Sequence, residues 1–326
     1  MKLPHRRQFL HLAAGAAALL ALSRIARAQA YPTRPVRLIV GYAAGGGTDI
    51  TARLIGQWLS ERFGQQFVIE NRPGAATNIA TDAVVRAAPD GYTLLLATGG
   101  NAINATLYDK LNFNFIRDIA PVGSVIRVPL VMVVNPSLRV TTVPEFIAFA
   151  TANPGRINFA SGGAGGPDHM SGELFKMMTG TNMTHVPYRS LAPALTDLIG
   201  GQVQVVFSTI PPALGYIKAD KLRALAVTTS TRFEGAPDIS TMGDFVRGYE
   251  TSQWYGIGVP TNTPVEIVEK LNREINAALA DPKMKARLAD IGGTVLPGSA
   301  ADFGKLIADE TEKWAKVVKF SGAKPD

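Results

Sequence analysis

Cysteine is absent from all 326 residues. That excludes disulfides, cysteine-ligated zinc, iron–sulfur clusters and covalently attached haem. Histidine is scarce as well. Beyond residue 30 only His169 and His185 remain, sixteen positions apart with no ligand motif beside them, so neither a metal nor a cofactor is expected. No apolar run reaches the roughly 18 residues that a membrane span needs, and the stretch from Phe9 to Leu22 falls short of it. Clusters of Lys and Arg are missing too. The whole-chain charge of +7 misleads, because the first thirty residues hold five of the 33 basic residues and none of the 26 acidic ones, which leaves 28 − 26 = +2 for the rest. Without a basic stripe interleaved with aromatics, no nucleic-acid partner is expected.

What is present begins with a targeting pattern. Lys2, Arg6 and Arg7 precede an Ala/Leu-rich stretch that ends in the small-residue site Ala28-Gln29-Ala30. Residues 1–30 are therefore expected to be a signal peptide, cleaved after Ala30, with a periplasmic product. Arg6-Arg7-Gln8-Phe9-Leu10 has the twin-arginine form, and an ordinary secretory signal is the alternative.

From residue 31 onward, short β-branched runs alternate with amphipathic stretches, the pattern of parallel sheets covered by helices, so the fold class is α/β. Strands are expected at 36–42, 67–70 and 93–97, with helices at 48–63 and 78–88. A second series runs from 125 to 228, and three helices close the chain near 264–279, 282–290 and 301–320. Two long apolar segments, Val125 to Val134 and Trp254 to Val259, bracket a middle block and read as hinge crossings. One lobe would comprise residues 31–128 with 253–326, the other the inserted residues 129–252. Ligand then belongs at the carboxyl ends of strands, against helix N-termini.

Two glycine loops stand at such places. The first, Gly41 to Asp49, carries Gly45-Gly46-Gly47 and ends in Thr48-Asp49, either of which can cap the following helix. The second runs from Ser161 through Gly162, Gly163, Ala164, Gly165 and Gly166. Glycines let backbone N–H groups approach a ligand, and a helix N-terminus favours an anion. A tight turn without ligand is the plainer explanation of either loop alone; two in two blocks shift the balance toward binding. The third strand adds Thr98-Gly99-Gly100-Asn101. Nucleotide readings fail, since neither loop spells G-x-G-x-x-G and no Walker sequence exists. A nucleophile elbow is also missing around Ser161 and Ser208. Asp168, His169 and Glu173 open a helix, and the last two can pair at i,i+4.

The loop ending Gly46-Gly47-Thr48-Asp49, with Ala52-Arg53 after it, is one of five motifs that belong together. The others are Glu70-Asn71-Arg72-Pro73-Gly74-Ala75, Pro89-Asp90-Gly91-Tyr92-Thr93-Leu94, His185-Val186-Pro187-Tyr188-Arg189 and Asp197 to Val203. In this order and spacing the chain closely resembles, over Tyr31 to Phe320, the Bug-type receptors of tripartite tricarboxylate transporters. The resemblance implies a type II periplasmic binding protein fold, no catalytic residues, and a carboxylate held mainly by backbone N–H groups and waters. The ligand class it implies spans di- and tricarboxylates, aromatic acids and related anions. The implied contacts are Tyr42, Gly46, Gly47, Thr48 and Asp49, then Thr98 and Asn101, then Ser161 to Gly166 with Tyr188. Implied partners are transporter subunits in the membrane or a sensor ectodomain, with the receptor itself a monomer.

Three departures bear on the ligand. Tyr42-Ala43-Ala44 stands where relatives often carry a Phe and prolines, Ser208-Thr209 where many carry an acid or amide, and Asp168 where a small residue is common. No Lys or Arg occurs within 42–49, 98–101 or 161–166, so an anion there must be met by N–H groups, hydroxyls and helix termini. Arg189 is the one nearby cation, with a structural role for it as the alternative. A periplasmic oxidoreductase or hydrolase on a two-lobed fold is the rival reading, and a receptor-like interaction module a third.

Overall fold

The computed structural model describes residues 31–325; the expected signal peptide and its cleavage after Ala30 lie outside the described residues. The chain opens with strand β1 (Val36–Val40), helix α1 (Gly47–Phe63), β2 (Phe67–Asn71), α2 (Asn78–Val85), β3 (Thr93–Thr98), α3 (Gly99–Leu107) and the single turn α4 (Phe115–Asp118). A 16-residue strand β4 (Ile119–Val134) leads into α5 (Val143–Ala152), β5 (Ile157–Ser161), α6 (Pro167–Thr179) and β6 (Met183–Pro187). The chain continues through α7 (Leu191–Ile199), β7 (Val205–Thr209), α8 (Ile210–Lys218) and β8 (Arg223–Val227). It returns along β9 (Ser252–Pro260) and closes with α9 (Val265–Ala280), α10 (Pro282–Asp290), β10 (Thr294–Val295) and α11 (Ala300–Ser321).

The strands hydrogen-bond in the order β2-β1-β3-β9-β4-β7-β5-β6, with β8 and β10 also paired to β4. The two α/β runs are parallel internally: β1 with β2 and β3, and β5 with β6 and β7. β4 and β9 run antiparallel to each other and to their neighbours, so the architecture is mixed where alternation alone suggests parallel sheets. β3 is buried at all six positions, which explains an apolar run without alternation.

β4 starts six residues before the expected Val125. Pro121 and Gly123 read as strand breakers, yet the strand tolerates them because its register against β9 slips there, between Pro121 and Gly123 and again between Ser124 and Ile126. Farther along, β4 changes partners. Pro129 still faces Ser252 of β9, and Leu130 already faces Thr209 of β7. The Thr228 hydroxyl staples this crossing: it takes the Leu130 N–H at 3.0 Å and reaches the Thr251 carbonyl at 2.8 Å.

α11 packs its apolar face on this framework. Phe303 meets Trp254 edge-on at 5.6 Å, and Trp254 and Trp314 both donate their indole N–H to Glu310, at 3.3 and 2.8 Å. Lys313 pairs with the same carboxylate, so the buried charge is both hydrogen-bonded and neutralised.

Candidate ligand-binding cleft

A cavity of about 570 Å³ opens where the strand-to-helix connections of both α/β runs meet, within the usual range for small-molecule sites. Its wall is built from Tyr42 and Gly46 of the first glycine loop, Ala76, Gly100 and Asn104, and Gly162 to Asp168 of the second loop. Leu130, Arg189, Ser190, Leu191, Thr209 and Gln253 complete it. Four helices start here with no capping side chain on the N-cap residue: α1 at Gly46, α6 at Gly166, α7 at Ser190 and α8 at Thr209; in α6 the Asp168 carboxyl of the first turn takes the His169 N–H instead. Each N-terminus leaves N–H groups without helical partners and carries partial positive charge. Prolines Pro167, Pro193, Pro211 and Pro212 thin those donors in α6, α7 and α8. α1, opening with Gly47-Thr48-Asp49, has no proline in its first turn and meets the wall at Gly46.

The remaining sequence candidates lie behind the wall and shape it. Asp49 is buried; its carboxylate accepts the Gly45 N–H, the Arg53 Nε and the Asn71 amide, each at 2.9 Å, and so folds the first loop. Burial works to raise its pKa, but Arg53 and these donors outweigh burial and hold the carboxyl below the usual range. Gly47 faces a smaller cavity of about 260 Å³ beside Tyr255, and Thr48 is hydrogen-bonded to the Tyr255 phenol. Thr98 and Asn101 form a capping box at the start of α3, a helix that Gly99-Gly100 conceals in the sequence. The Asn101 amide also donates to Thr77 and Thr81, at 3.0 and 2.8 Å. Tyr188 donates its phenol to Asp197 at 2.6 Å and does not line the cavity, and the buried Ser208 hydroxyl donates to the Thr209 carbonyl.

Ser161 is buried too. Its hydroxyl lies 2.9 Å from the Gly163 carbonyl and 2.6 Å from His185 Nε2, contacts that brace the loop. His169 stacks on His185 with ring centroids 3.5 Å apart and accepts the Gly165 N–H at 2.9 Å. It also faces Glu173 at 3.6 Å, the i,i+4 pairing expected from the spacing. Burial, then the charge of His169, drives the His185 pKa down to about 3.

Sequence reasoning missed several wall residues. Ala75, Ala76 and Thr77 hold φ of 44°, 48° and 81°, a left-handed run without glycine that only the fold reveals. Asn104 holds it in place through the Ala76 carbonyl, and Thr77 fills the space that a side chain at Gly41 would need. Gln253 comes from β9, and its side-chain oxygen is buried without a partner among the described residues. Arg189 is exposed at the rim with no ion pair among those residues.

A mixed α/β framework that turns uncapped helix N-termini and glycine loops onto one cavity has the design of a solute-binding receptor. The family model described as tripartite tricarboxylate transporter family receptor matches residues 51–322, and this chain belongs to that family. It is similar to protein BugT of Bordetella pertussis, 37% identical over 302 residues that cover 91% of this chain and 92% of the other. An R. palustris protein solved with adipate is 38% identical with a TM-score of 0.78, over 91% of this chain and 100% of that one. MatC from Rhodopseudomonas palustris, solved with bound malate, is 30% identical with a TM-score of 0.75, over 88% and 100%. The resemblance read from the sequence motifs is thereby borne out, as is the fold of periplasmic solute-binding proteins that it implied.

Proposed function

We propose that this protein works in the periplasm, where it captures a small organic carboxylate and delivers it to the membrane subunits of a tripartite tricarboxylate-type transporter, or presents it to a sensor. The observation that carries this reading is the convergence of the N-termini of α1, α7 and α8, none capped by its N-cap side chain, on a cleft whose one lining cation, Arg189, has no ion-pair partner among the described residues. Relatives solved with adipate and with malate support the ligand class. Among the described residues no helix is long and apolar enough to cross a membrane. Export rests on the pattern of residues 1–30.

The binding step would close two lobes, residues 31–128 with 253–326 and residues 129–252, about crossings near Pro129 and Trp254. The change of partners in β4 at Pro129 supports that hinge.

A thermal-shift screen of carboxylates tests the reading. Ligand at 100 times its Kd stabilises the folded state by about 2.7 kcal/mol, a visible rise in melting temperature. A broad carboxylate panel that shifts nothing, while a sugar or another neutral solute does, would overturn it.

A further inference from the structure

The wall of the cleft carries one acid and one base, Asp168 and Arg189. Asp168 sits in the first turn of α6, a helix whose N-cap residue, Gly166, offers no capping side chain. Its carboxyl takes the place an anion would occupy there, accepting the Gly162 N–H and the N–H of His169 at the helix start; burial outweighs these hydrogen bonds and raises its pKa, so its charge is read on the alkaline side. Both glycines beside it are shaped around the acid: a Cβ on Gly162 would come within 3.3 Å of one carboxylate oxygen, and a Cβ on Gly166 within 2.5 Å of the other. The positive end of α6 is thus already answered by the protein's own carboxylate. α1 has no such occupant: the carboxylate in its first turn, Asp49, is turned back onto Gly45, Arg53 and Asn71 behind the wall.

The cleft therefore offers two kinds of chemistry. α1 presents N–H donors with no carboxylate across them, whereas the stretch 162–191 carries the lone pairs of Asp168, with Arg189 exposed at the rim of that same stretch. Gln253 of β9 adds a buried side-chain oxygen without a partner among the described residues. We infer that Asp168 is a specificity-determining residue, selecting a monocarboxylate whose far end bears a hydrogen-bond donor, a hydroxyl or an ammonium group, over a ligand with a second carboxylate. This rests on the carboxylate reading of the cleft and narrows it. A second ligand carboxylate beside Asp168 would bring two like charges together in a partly desolvated wall, whereas a donor completes the lone pairs that the backbone leaves free.

The test is calorimetric titration at pH 8 of the mature protein with three matched series of four, five and six carbons: the dicarboxylates succinate, glutarate and adipate, and the corresponding ω-hydroxy and ω-amino monocarboxylates. The expected result is that, at the chain length that binds best, a donor-bearing monocarboxylate binds at least about tenfold more tightly than its dicarboxylate. The hydroxy and amino arms identify which donor it is. Asp168→Asn keeps an acceptor for the Gly162 N–H and removes the charge, so the preference should fall by about tenfold or reverse. Should that variant fail to fold, the wild-type ranking decides alone. Dicarboxylates binding wild type as tightly as their analogues, or a preference unchanged in a folded Asp168→Asn, would overturn the inference and leave the carboxylate reading standing. Silence from all nine compounds would overturn the inference, and the broad thermal-shift panel would then decide the carboxylate reading separately.

Discussion

At the scale of single residues, the two glycine loops differ in how their glycines can be tested. Gly46 has φ of −82°, and a Cβ built there meets nothing within 4 Å, so Gly46→Val should fold, cost at most about 1 kcal/mol as a poor N-cap, and fill the approach to the α1 donors. Gly163 has φ of +152°, which strains any side chain, so Gly163→Val confounds folding with binding although its sequence context looks equivalent. The distinction lies in backbone torsion, which composition does not encode. The same limit hid the strained Ala75-Ala76-Thr77 run. A second residue-scale prediction concerns acid. His185 is held neutral, with its pKa depressed from about 6.5 to about 3, so its contribution is complete above pH 6.5 and declines as pH falls toward 3, where folded and unfolded chains bind the same proton. Asp49, with its pKa depressed in the fold, adds a loss in the same direction at lower pH. Urea denaturation between pH 7 and pH 4 should show His185→Phe losing less stability than wild type over that interval; parallel slopes would remove His185 as the titrating group.

Among the elements, α3 shows how a side-chain network shapes the cleft from behind its wall. Asn101 accepts the Thr98 N–H at 2.8 Å and donates to Thr77 and Thr81, tying the start of α3 to the strained segment that carries Ala76. Asn101→Leu should cost about 1 to 3 kcal/mol, because the buried partners lose their hydrogen bonds while the helix itself remains. Chemical denaturation reads that loss, and a change under about half a kcal/mol would show that the network is dispensable. The family resemblance implied Asn101 as a ligand contact, and the strand end beside two glycines added its amide to the rim. Its hydrogen-bond partners within the fold come from residues 20 and 24 positions upstream, which local pattern does not bring together. Elements with clean periodicity were legible: α10 lies at the expected 282–290. α3 was not, because glycines at its first two positions signal a loop.

For the whole molecule, the alternation of strands and helices was enough for an α/β class, and the motif order was enough for the family. The antiparallel course of β4 and β9 was not readable, since strand direction leaves no mark on apolar composition. That course bears on the proposed hinge: β4 passes from β9 to β7 at Pro129, the point about which residues 129–252 are proposed to turn. Small-angle scattering with a saturating carboxylate should show a smaller radius of gyration than without it. An unchanged radius would indicate a preformed, rigid cleft.

The proposal that an anion is held by backbone N–H groups, with Arg189 secondary, is tested most directly by one calorimetric comparison. The carboxylate giving the largest thermal shift is titrated into wild type, Gly46→Val and Arg189→Gln, each checked for a native circular dichroism spectrum. The predicted result is loss of measurable binding in Gly46→Val and a decrease of about tenfold in Arg189→Gln, the scale of one exposed charge-assisted contact. Contradiction would be the opposite order, with Arg189→Gln abolishing binding and Gly46→Val retaining it, which would put an arginine clamp in place of the helix termini.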